Sequence, residues 1–123
     1  MSDLAETVAW LRRWILADRE AAERAQQAAP GTWWHNHDDA PGVIYTIDGP
    51  DLIEVPEELR PVTEHLVRHD PRNVIARCDA ELAILDPDNW GGGPEAEDAY
   101  RQAVRMLAQG YRHRDNRREE GTA

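Results

Sequence analysis

The chain is expected to form a small α+β protein, mainly helical, with about four helices and a small antiparallel β-hairpin or three-stranded sheet between helix 1 and helix 2. Three observations predict this class. A long amphipathic run opens the chain, a β-branched run bounded by turn residues follows, and an Asp-Pro corner then joins two further helical stretches. With 123 residues, 41% of them apolar, the chain suits one domain with a modest core. Five Trp and three Tyr supply large anchors for it.

The first helix is predicted over Asp3–Ala28. Asp3 and Glu6 have capping-box spacing, and Leu4, Val8, Leu11 and Ile15 form one apolar stripe. The second half is rich in Ala, Arg, Glu and Gln, which favour a helix but give it little apolar surface to bury. Pro30-Gly31 ends it. Trp33-Trp34-His35 suits a short strand. Val43–Ile47 suits a second, with Val43, Tyr45 and Ile47 on one face, and Leu52–Val55 a third. Asp39–Gly42 and Asp48–Asp51 are turn sequences between them.

Pro56-Glu57-Glu58 starts a helical turn, and Pro61 opens a helix to His69 with Val62, Leu66 and His69 on one side. Asp70 then suits an N-cap and Pro71 a first helical position, so the structural corner falls on Asp70 and Pro71. The third helix covers about 71–85, with Val74, Ile75, Cys78, Leu82 and Leu85 inward. Pro87–Pro94, containing three consecutive glycines, suits a flexible linker. The fourth helix runs from about Pro94 to Gln109, with Tyr100, Ala103, Val104 and Leu107 inward and Gly110 at C′. The expected organisation is therefore a single α+β domain over 1–111 and a polar C-terminal tail over 112–123.

Charge narrows the function classes. The net charge is −10, and all 14 basic residues are Arg. Residues 31–59 and 86–98 carry acids and no Arg. Such a field repels nucleic acid and anionic lipid and attracts a basic protein surface. The lone Cys78 excludes an intramolecular disulfide and a Cys-rich zinc site; it falls on an apolar stripe and suits a small core residue. No stretch has the form of a signal peptide or a membrane span, so a cytoplasmic location is expected.

The segment His65-Leu66-Val67-Arg68-His69-Asp70-Pro71, continuing through Val74 to Ala80 and Ile84-Leu85-Asp86, resembles a family of short proteins of actinobacteria and their phages described only as a domain of unknown function. Its pattern is roughly H-I-A-R-H-D-P-A-x-V-L followed by E-A-K-R-x-I-L-D. A later family block, L-L-A-L-P-Y followed by R-E-E-W, is echoed by Leu107, Ala108, Tyr111, Arg118, Glu119 and Glu120. Glu81 and Leu82 stand where the family carries basic residues. Gln109-Gly110 replaces Leu-Pro, and Gly121 a terminal Trp. The resemblance implies a fold and a source; it implies no reaction.

Two functional readings follow. The first is an accessory or interaction protein that is not an enzyme and needs no cofactor. Its aromatic and acidic residues Trp33, Trp34, Asp38, Asp39 and Trp90 would meet a basic protein partner. Trp90 has two roles open to it, a binding anchor or a lid folded onto the core. The alternative is a metal-dependent hydrolase. His65 and His69, four apart on a helix, have the spacing of a helical metal site, and His35 and His37 offer a second nitrogen pair. Against it, both pairs also suit structural work, at a helix C-terminus and in a polar turn. Self-association through the long first helix is a third expectation.

Overall fold

The computed structural model describes residues 3–36, 40–46 and 51–122, with side chains throughout except at 34–36, 40–42, 51–53 and 115–122. Helix α1 spans Asp3–Ala28. The Thr7 hydroxyl donates to the Asp3 carbonyl at 2.8 Å in its first turn. Leu11, Ile15 and Ala22 are buried along one stripe, at the four- and seven-residue steps that return to the same helical face. Its second half closes two pairs on the outside, Glu20–Arg24 at 3.2 Å and Arg19–Glu23.

Strands β1 (Trp33–Asn36), β2 (Ala40–Thr46) and β3 (Asp51–Glu54) form an antiparallel sheet in the order β1-β2-β3. Trp33 lies opposite Thr46, and Ile44 opposite Ile53. Alternation along β2 buries Ile44 and Thr46 and leaves Val43 and Tyr45 half-buried. The inward face therefore belongs to Ile44 and Thr46. Ile47 lies outside the described residues. Helix α2 packs on β1 and β2.

A 3₁₀ turn over Glu57–Leu59 leads into α2, Arg60–Arg68, with Pro61 in its first turn. The inward side of α2 differs from the predicted one. Thr63 is buried and Leu66 and Val67 are half-buried, whereas Val62 and His69 are exposed. The face at 63, 66 and 67 is the one that turns inward, and the chain that leaves α2 leads to the buried Asp70, which β1 engages. That packing outweighs the greater apolarity of Val62.

Helix α3 runs from Pro71 to Leu85, with Cys78 and Leu85 fully buried. The stretch predicted as a linker is instead built. Asp86 caps a 3₁₀ turn over Pro87–Trp90 by accepting the Asp88 N–H at 3.0 Å, and the Asn89 side-chain amide donates to the Ala83 carbonyl at 2.9 Å. Asp86-Pro87 repeats the Asp-Pro device of the earlier corner.

Helix α4 spans Pro94–Thr122 and so does not stop at Gln109. Gly110 is an internal helical residue. The apolar stripe explains the extension: Val104 is followed by the buried Tyr111, a further two turns along the same face. Residues 112–122, predicted as a tail, are helical. The described chain separates into two compact units, Met1–Ala17 with Cys78–Ala123, and Asp18–Arg77. The divisions fall within α1 and α3.

Candidate functional site

In the Asp18–Arg77 unit, the corner between α2 and α3 is closed by one carboxylate. Asp70 is 2% exposed; its Oδ1 accepts the Asn73 N–H at 2.9 Å and its Oδ2 accepts the Trp33 N–H at 3.2 Å. The first contact is an N-cap of α3. The second ties the start of β1 to the corner. The Asn73 amide donates to the Arg68 carbonyl at 3.1 Å, satisfying an end of α2, and Arg72 donates to the Thr32 hydroxyl at 3.0 Å. Trp33 thus takes part in holding the corner. Its indole N–H is buried with no hydrogen-bond acceptor among the described residues.

His65 and His69 are exposed on α2, with ring centroids 4.5 Å apart and planes tilted by 44°. The helix brings these two imidazoles together as the spacing predicts, but no third ligand joins them among the described residues. Among the described residues no group of three His, Cys, Asp or Glu side chains is placed to hold a metal ion. His37, Asp38 and Asp39 lie outside the described residues, as do the side chains of Trp34 and His35.

The same unit has a feature that the sequence reading missed. Leu59 and Val62 are 51% and 42% exposed; Leu59 closes the 3₁₀ turn as the residue before α2, and Val62 lies in the first turn of α2. Glu54, Glu57 and Glu58 precede them and are exposed. Arg60 is the one Arg between residues 31 and 67, which contain no Lys. Part of the signal was available: Val62 and Leu66 share a side of the helix by spacing, and a small rotation decides which of them is turned out.

In the other unit, Trp90 is the organising side chain. Its indole N–H donates to the Ile84 carbonyl at 2.8 Å, and the Tyr100 hydroxyl donates to the Leu85 carbonyl at 2.6 Å. These two carbonyls are among the last of α3, which a helix leaves without internal partners. The rings meet edge to face, with centroids 5.9 Å apart and planes at 73°, a favoured aromatic geometry. Burial pushes the Tyr100 phenol above its ordinary value near 10; Asp86 adds to the rise and Arg12 opposes it. Trp90 therefore folds onto α3 and α4, and its ring forms a wall of a pocket of about 290 Å³. Leu4, the three glycines of the loop, Glu97 and Arg101 complete that pocket. Gly91 and Gly93 take positive φ, 75° and 106°, which only glycine adopts without strain.

The opposite end of the same unit is fastened by Tyr111. It is 5% exposed, and its hydroxyl donates to Glu81 Oε1 at 2.5 Å. The Arg114 guanidinium lies 5.0 Å from the Tyr111 ring centroid and 5.5 Å from that of Trp14, within cation–π range of both.

Four helices, a capped Asp-Pro corner and an aromatic wall built on the end of α3 define a mainly helical protein whose polar groups are engaged chiefly in holding turns. The chain belongs to the Family of unknown function (DUF6221), whose profile matches residues 4–120. No curated protein and no solved structure matches it. No described helix is long and apolar enough to cross a membrane.

Proposed function

We propose that the chain is a small acidic accessory protein, of an actinobacterium or its phage, that binds a basic protein partner. The observation that carries this reading is the edge of α2. Two large apolar side chains, Leu59 and Val62, stand in water beside Glu54, Glu57 and Glu58. An apolar pair next to carboxylates suits a segment whose Lys or Arg stems lie on the apolar surface while their charged ends reach the acids. The surface is small, which suits a transient contact. The Trp90 indole N–H is held by the Ile84 carbonyl and the Trp33 backbone N–H by Asp70, so the proposed contact centres on Leu59 and Val62, with Trp33 and Trp90 kept as proposed contributors through their ring faces. Trp34, Asp38 and Asp39 stay proposed as its extension, and no observation favours the hydrolase reading over it.

The test uses tagged full-length chain to capture partners from actinobacterial lysate at low salt and at ~0.5 M salt, where screening weakens exposed charge contacts. Each partner is then titrated against wild type, Leu59→Ser/Val62→Ser and Glu57→Lys/Glu58→Lys. A basic partner that is released by salt and lost in both variants supports the reading. A partner held equally by all three, or none at either salt, refutes it.

A further inference from the structure

The pocket beside Trp90 combines an apolar corner with one acid and one base that do not pair. Glu97 and Arg101 are four residues apart with the acid first, the order in which such pairs close best on a helix. Two pairs of the same order do close elsewhere in this chain, Glu20–Arg24 at 3.2 Å and Glu64–Arg68 at 2.6 Å. Glu97 and Arg101 stay apart: among the described residues neither side chain enters an ion pair, and both line the pocket. An exposed pair of this kind gains little by closing in water. A ligand carrying both complementary charges therefore has no closed pair to break.

The floor between the charges is apolar. Trp90 and Tyr100 have already given their N–H and O–H to carbonyls of α3, so their rings offer the pocket only carbon surface, and Leu4 adds an aliphatic side. Gly92 is the unexplained member of the glycine loop. It has no positive φ, and a Cβ built on it would meet nothing within 4 Å. Neither backbone geometry nor crowding requires glycine there, although Gly92 lines the pocket. A volume of about 290 Å³ lies at the small end of ligand sites, which suits a single amino acid and is too small for a nucleotide.

We infer that this pocket binds a free α-amino acid with an apolar side chain. The ligand carboxylate meets the Arg101 guanidinium, its ammonium meets the Glu97 carboxylate, and its side chain lies against Trp90 and Tyr100. A ligand with one charge leaves the other pocket charge unmatched, and one with neither leaves both.

The full chain is titrated with L-leucine and L-phenylalanine by calorimetry and by NMR of the Trp90 indole N–H. Glycine, leucinamide and isocaproate serve as probes lacking the side chain, the carboxylate and the ammonium respectively. Leucine or phenylalanine is expected to saturate, with each of the three lesser probes weaker by about tenfold or more, the loss of one charged or apolar contact. Gly92→Leu, which the open space accepts, is expected to keep the thermal transition of the wild type and to abolish binding. Glu97→Gln and Arg101→Gln, both at exposed positions, are expected to bring leucine down to the level of isocaproate and leucinamide respectively. The inference is overturned if neither amino acid saturates, if isocaproate or leucinamide matches leucine, or if Gly92→Leu binds like wild type. The α2 variants are made elsewhere in the chain, so failure of one idea leaves the other standing.

Discussion

Asp70 Oδ2 accepts the backbone N–H of Trp33 at 3.2 Å, across 37 residues of sequence, while its other oxygen caps α3. One carboxylate thus serves a helix start and a strand start together. Asp70→Ala removes the cap and leaves a part-buried N–H without an acceptor, so the expected loss is about 2–4 kcal/mol. Asp70→Asn keeps one oxygen for Asn73 and turns an NH₂ toward Trp33, so it is expected to fall between Ala and wild type. Urea unfolding of the three proteins checks the order.

Gly110→Ala distinguishes a helix interior from a helix end. Gly110 lies within α4, and a Cβ there meets nothing within 4 Å. Alanine is expected to raise stability by about 0.5–1 kcal/mol, the difference in helix propensity. A glycine at a left-handed C′ position would give the opposite sign. Thermal melts decide between the two.

Tyr111 predicts where the chain can be cut. A chain ending after Arg114 keeps the Tyr111–Glu81 bond and the guanidinium over the Trp14 and Tyr111 rings, and is expected to melt close to wild type. One ending after Gly110 loses all three and is expected to be markedly less stable. Tyr111→Phe isolates the hydroxyl at about 1.5 kcal/mol, the low end for a bond to a charged acceptor because Glu81 is only half-buried.

Thr63 is 2% exposed and its hydroxyl has no partner among the described residues. Thr63→Val keeps the shape and removes the unsatisfied group, so stability is expected to rise by about 1 kcal/mol. Thr63→Ala opens space and is expected to lower it. Denaturant midpoints for the pair separate polarity from packing.

Alkaline pH is expected to weaken the unit that holds Tyr100. Its phenol titrates above the ordinary value near 10, chiefly through burial, so the folded state holds the proton more tightly than the unfolded chain. The stability this gives is complete below the unfolded value. It is lost as pH rises from there through the folded value, when the hydroxyl can no longer donate to Leu85. Tyr100→Phe is expected to flatten that stretch of the melting-temperature profile, and ultraviolet titration of tyrosinate in the wild type reports the shift directly.

The helices were legible where short-range chemistry decides them. The α1 stripe at Leu11 and Ile15, and the Asp-Pro start of α3, are local patterns that tertiary contacts reinforce. Three features were not legible, each for a reason. The rotation of α2, with Thr63 inward and Val62 outward, is a matter of packing against β1 and β2, which are distant in sequence. The continuation of α4 past Gly110 depends on Tyr111 finding Glu81, thirty residues away. Order in the Pro87–Trp90 turn comes from side chains that take the unpaired carbonyls of α3, and composition alone made that stretch resemble a linker. The candidate pocket was hidden for the same reason: Glu97 and Arg101 look like an ordinary surface pair until their failure to join is seen.

The glycine loop divides its work unequally. Its first and third members are fixed by backbone torsion, while Gly92 is not. A mutation at that middle residue would alter how much room lies beside Trp90 without bending the turn. Relatives that share the scaffold can therefore diverge in what they accommodate by changing a single codon.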